Sequence, residues 1–135
     1  MLPRTAVSHG EGGDLGLPLF AHGGQLEQGF VENLIGRQIR PEPARLEDHR
    51  EVALDGQGWC VLVPAAGERV TGRLYRSLVA EDYRRIDSYQ GVMEGLYIRS
   101  VAAVLSERGE DSEPAWIYLP TERTLRRYVA EQFTS

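Results

Sequence analysis

Glycines interrupt this chain at three places, and those breaks fix the order of its strands and helices. Residues 17–21 form a short apolar run suited to a buried strand, which His22-Gly23-Gly24-Gln25 ends. Leu26, Phe30 and Leu34 follow at four-residue spacing. That spacing predicts a helix after the glycines, and Gly36 ends it. Residues 79–89 carry Val79, Tyr83 and Ile86 on one helical face, with Glu81, Asp82, Arg84 and Arg85 elsewhere. This predicts an amphipathic helix stopped by Gly91. Between the two helices the chain is β-rich. Residues 45–54 read as a weak strand entered through Pro41 and Pro43. Residues 59–63 read as a better one. Residues 70–75 alternate Val70, Gly72 and Leu74 against Thr71, Arg73 and Tyr75. Pro64-Ala65-Ala66-Gly67 suits a hairpin connection between those two runs.

Residues 96–105 are the longest strand candidate, 107–113 a charged turn and 115–119 a further short strand. Thr121 is placed to cap a last helix, with Glu122 in its first turn and Leu125, Tyr128, Val129 and Phe133 on one face. The order is strand, helix, strands, helix, strands, helix. It predicts an α+β, barrel-like domain rather than a doubly wound sheet. Residues 1–16 are polar and glycine-rich without a period and read as a flexible leader; 17–135 read as a single domain. Gly10-Glu11-Gly12-Gly13 is no phosphate loop, because no strand precedes it and no GK[ST] follows.

At 135 residues and 41% hydrophobic, one domain with its own core is expected. A net charge of −5 argues against a nucleic-acid surface. The 15 basic residues are all arginine, so no lysine amine exists for Schiff-base chemistry. Cys60 is the only cysteine, which excludes an intrachain disulfide; in its apolar run it reads as a buried core thiol. No Cys/His cluster has metal-ligand spacing, and neither a GxSxG elbow nor an HExxH helix occurs. No cofactor or metal is expected. With no apolar run of spanning length, a soluble cytoplasmic protein without membrane or nucleic-acid partners is expected. Monomer and homodimer both stay open.

Four segments line up in order with one family. They are Leu19-Phe20-Ala21-His22-Gly23-Gly24-Gln25-Leu26, Val70-Thr71-Gly72-Arg73-Leu74-Tyr75, Ile86-Asp87-Ser88-Tyr89-Gln90-Gly91-Val92-Met93-Glu94-Gly95-Leu96-Tyr97, and Ala115-Trp116-Ile117-Tyr118. Together they resemble the gamma-glutamylcyclotransferase-like superfamily. The resemblance implies a small mixed β-barrel with flanking helices and a pocket at the strand–loop junction. It also implies a small-molecule substrate, a γ-glutamyl compound that is released as 5-oxoproline. In that reaction the substrate's α-amine attacks its own γ-carbonyl. A base must deprotonate the amine, donors must hold the oxyanion, and the substrate must be held folded. By resemblance, the loop His22, Gly23, Gly24, Gln25 and Leu26 binds the glutamyl end. A glutamate in the position of Gln90 would be the base.

The chain departs from the family pattern at three points. His22 replaces a tyrosine, Gly24-Gln25 replaces a Ser-Asn or Thr loop, and Gln90 replaces the glutamate. An amide can hydrogen-bond a substrate but takes no proton at neutral pH. An imidazole titrates near neutrality, so His22 either supplies the missing base or fills the tyrosine's space. Tyr97 and Tyr118 either point hydroxyls into the pocket or are core aromatics. The glycine junction either cradles a carboxylate or oxyanion or is a tight turn. Asp87 is expected to bond backbone near its helix end. Glu94, His9 and His49 are expected in solvent, as is the face bearing Arg126 and Arg127. Two functions follow. One is a divergent enzyme performing intramolecular cyclisation or acyl transfer, suited to specialised metabolism. The other is a catalytically inactive binding or partner protein that keeps the fold. Ordinary gamma-glutamylcyclotransferase activity is the third and least favoured, because of Gln90.

Overall fold

The computed structural model describes residues 16–23, 29–53, 60–106 and 111–128. Five strands, β1 (Leu19–Ala21), β2 (Glu42–Ala53), β3 (Cys60–Tyr75), β4 (Tyr97–Ser106) and β5 (Ser112–Pro120), close into a barrel in the order β1-β3-β2-β4-β5. β1 runs parallel to β5 and every other pair is antiparallel, so the sheet is mixed. The helices α1 (Phe30–Ile35), α2 (Ala80–Gln90) and α3 (Glu122–Tyr128) lie outside it. This is the expected α+β barrel. The expected leader falls outside the described residues except for Gly16, as do Gly24, Gln25, Leu26, Val129 and Phe133.

Strand alternation divides the apolar residues between two faces. Phe20, Leu46, Leu62, Val70, Leu74, Val104 and Ile117 fill the barrel. Leu19, Ala21, Tyr75, Trp116 and Tyr118 point outward and are covered by Val31 and Ile35 of α1 and by Tyr83 and Ile86 of α2. Val79, expected on that buried face, is 52% exposed because it stands before the first turn of α2; Asp82 Oδ2 there accepts its backbone N–H. Arg37 grips the same Asp82 carboxylate through both terminal nitrogens, at 2.9 and 2.7 Å, tying the end of α1 to the start of α2. Gly72 has no side chain for a steric reason. A Cβ there would lie 2.3 Å from the Ala21 carbonyl oxygen and 2.6 Å from Phe20 Cζ.

The predicted hairpin at residues 64–67 does not form. β3 runs unbroken for 16 residues, longer than the 10 of β4, which sequence favoured as the longest strand. The Pro-Ala-Ala-Gly segment is instead a bulge. Glu47 pairs with Arg69 and His49 with Pro64, so Asp48 alone faces residues 65–68. Asp48 takes a left-handed φ of 62°, and its Oδ1 accepts the Gly67 N–H at 2.9 Å. This irregularity reverses which side chains of β2 face inward. Before the bulge, Leu46 lies opposite Val70 inside the barrel. After it, Glu51 lies opposite inward-facing Leu62, while Val52 and Val61 face out toward Leu125 of α3.

Candidate active site

The strand directions bring five chain segments to one end of the barrel. They are the ends of β1, β2 and β5 and the beginnings of β3 and β4. α2 arrives at the same end, because its last residue leads through a short turn into β4. His22 and Gln90, distant in sequence, therefore belong to one rim.

His22 follows β1 on the inward side, its ring stacked against Phe20 at 6.4 Å between centroids and 15° between planes. It is 6% exposed. Its Nδ1 stands 2.7 Å from Oε2 of Glu51, the residue that the β2 bulge turns inward. This hydrogen bond holds the Glu51 carboxyl below the ordinary range, so Glu51 is ionised at neutral pH. An ionised carboxylate only accepts, so the proton between them sits on Nδ1. Gly23 admits the carboxylate, since a Cβ there would meet Glu51 Oε2 at 3.0 Å. Cys60, expected in the core, is half-buried at this end; burial first, and then the Glu51 charge, push its thiol pKa up.

Gln90 is 7% exposed at the last position of α2. Gly91 (φ 75°) closes the helix, its N–H donating to the Ser88 carbonyl, and the Val92 N–H donates to that of Asp87. The turn is clamped from the other side. Thr121 Oγ1 donates to the Gly95 carbonyl and Thr124 Oγ1 to that of Leu96, both at 2.7 Å. Thr121 caps α3 as predicted, accepting the Thr124 N–H at 3.3 Å. Gln90 is thus held between the helix end and a turn pinned by α3. Tyr97, just beyond, packs against both the outer helical core and the Val52–Val61 pair.

Asp87 bonds side chains rather than the backbone expected of it. Its Oδ1 accepts the Tyr118 hydroxyl at 2.5 Å, and its two oxygens accept Arg99 Nε and Nη2 at 2.9 and 3.0 Å. Arg99, 1% exposed, lies between Tyr83 and Trp116, its guanidinium carbon 4.6 and 4.5 Å from their ring centroids. Burial, and next the Asp87 charge, push the Tyr118 phenol well above its ordinary pKa. The Tyr118 hydroxyl is therefore committed to a buried ion pair under α2. His49 is half-buried, with Nδ1 2.9 Å from the Glu47 carbonyl oxygen, rather than in solvent. Glu94 and Arg126 are exposed as expected. His9 and the Arg127 side chain lie outside the described residues. Among the described residues no group of three or more His, Cys, Asp or Glu stands ready to hold a metal. No helix among them is long and apolar enough to cross a membrane.

Sequence reasoning missed Glu51 and Arg99. Glu51 reads as one more charge in the run Glu47-Asp48-His49-Arg50-Glu51, and only the bulge turns it inward. The one available signal was a proline-glycine segment opposite that run. Arg99 leaves a trace as a lone charge within the apolar run 96–105.

A family model described as "Gamma-glutamyl cyclotransferase, AIG2-like" matches residues 19–133. No curated protein sequence matches the chain. Among solved structures, a gamma-glutamyl cyclotransferase aligns at a TM-score of 0.66 and 21% identity, over 78% of this chain and 66% of that one. An AIG2-like protein from Mus musculus aligns at 0.61 and 19%, over 76% of each chain. An Arabidopsis thaliana protein aligns at 0.68 and 16%, over 79% of this chain and 70% of its own. At these identities the structures share the fold.

Proposed function

Because the chain belongs to the gamma-glutamyl cyclotransferase, AIG2-like family, we propose that it is a divergent cyclotransferase in which His22, oriented by Glu51, takes the base role that Gln90 cannot fill. The observation that carries this reading is the 2.7 Å contact between His22 Nδ1 and Glu51 Oε2 at the end of the barrel. A carboxylate that fixes the tautomer of a histidine and stabilises its protonated form is a recurrent way to build a general base.

The substrate is a small molecule carrying a γ-glutamyl amide or a like acyl group. His22 Nε2 accepts a proton from the substrate's α-ammonium group. The freed amine attacks the γ-carbonyl carbon; a carbon–nitrogen bond forms and the carbonyl oxygen becomes an oxyanion. Collapse breaks the bond to the leaving amine and yields 5-oxoproline. Two protons leave the α-nitrogen and two reach the leaving nitrogen, so the imidazole relays protons and ends unchanged. Backbone N–H groups of the loop that starts at Gly23 would hold the oxyanion. Gln90, buried on the rim and able both to donate and to accept, would orient the substrate. Tyr97 would line the pocket, and Gly24, Gln25 and Leu26 complete the glutamyl-binding loop. Both sides of the pocket are altered, which suits a substrate of specialised metabolism.

The test is 5-oxoproline release from γ-glutamyl amines by the wild type, Glu51→Gln and Gln90→Glu. Wild-type release, cut at least tenfold by Glu51→Gln, supports the reading. Release only from Gln90→Glu, with a silent wild type, overturns it and favours a binding protein that has kept the fold.

A further inference from the structure

A cavity of about 500 Å³ opens on the outer side of the barrel, between α1, the start of β2 and the end of β3. It lies on the face of β3 opposite the one that His22 approaches, because Arg73 and Tyr75 point outward where Gly72 and Leu74 point in. Its lining carries charges of both signs. Glu32 of α1 and Arg73 of β3 supply opposite charges, with Asn33, Gln38 and the Tyr75 hydroxyl beside them. Both charges act on the Tyr75 hydroxyl, whose pKa is pushed up to about 12, by burial first and then by Glu32. Glu32 Oε1 is buried without a hydrogen-bond partner. A buried carboxylate oxygen left unsatisfied is costly, and a donor that reaches it recovers that cost.

We propose that this cavity is a binding site, separate from the barrel end, for a small zwitterion whose ammonium group pairs with Glu32 and whose carboxylate pairs with Arg73. The opposite charges on its lining select against simple amines and simple acids, each of which satisfies one end only. The amides of Asn33 and Gln38 serve the ligand's remaining polar atoms.

Isothermal titration of the full chain with 4-aminobutanoate, beside n-butylamine and butanoate, tests this. The zwitterion is expected to bind at least tenfold more tightly than either control. Glu32→Gln and Arg73→Gln should each weaken it at least tenfold. In the wild type, ring resonances of Tyr75 should shift on titration while those of His22 stay in place, a readout that does not depend on how well the variants fold. Three results would overturn the proposal: no heat and no Tyr75 shift; shifts confined to His22; or binding that either substitution leaves unchanged.

Discussion

Arg99 shows how one side chain can hold the helical layer to the barrel. It is a fully buried cation, satisfied by a bidentate aspartate and by two aromatic faces. Removing one partner of such a pair strands the other charge. Arg99→Met is therefore expected to lower stability by about 3–5 kcal/mol in urea unfolding. Tyr118→Phe, which deletes one hydrogen bond to the same aspartate, should cost about 1.5–3 kcal/mol. Asp82 gives a prediction with a definite sign. The Arg37 hydrogen bonds hold its carboxyl below the ordinary 3.8. A depressed carboxyl contributes its full stability above 3.8 and loses it as pH falls from there through the folded value, because the unfolded chain takes up the proton first. Stability measured from pH 6 downward should therefore decline near pH 4, and the decline should be shallower in Arg37→Ala.

At the scale of elements, glycine and spacing made much of the chain legible. α2 and its stop at Gly91, the α1 stop at Gly36 and the Thr121 cap all formed where the sequence placed them. These signals are local: an αL glycine or a threonine cap acts within a turn of its own position. The bulge in β2 and β3 was not legible. Proline and glycine mark a break in pairing but do not say whether the chain reverses or swells, since that depends on the strand alongside. Missing the bulge hid Glu51, because alternation counted from Leu46 puts Glu51 outside the barrel and Val52 inside it. Asp87 was misjudged for a similar reason, as its partner Arg99 lies on another element. The Gly72 crossing shows the same dependence on tertiary contact. Gly72→Ala should destabilise by about 3 kcal/mol, since its methyl meets backbone and an aromatic ring and neither can yield cheaply. Thermal unfolding checks this.

Across the whole molecule, the barrel was readable from the order of its elements, and His22 and Gln90 from the two segments, residues 19–23 and 86–97, that the topology brings to one rim. The contact of His22 with Glu51 on that rim was not readable, because it depends on register. On that rim the structure brings the Glu51 carboxylate to His22, and Gln90 stands at the end of α2. The most direct measurement of the role proposed for His22 is the rate of 5-oxoproline release from a γ-glutamyl amine by wild type and His22→Phe. His22→Phe should lose about a hundredfold or more in kcat/KM relative to wild type. Release by His22→Phe at the wild-type rate would contradict it.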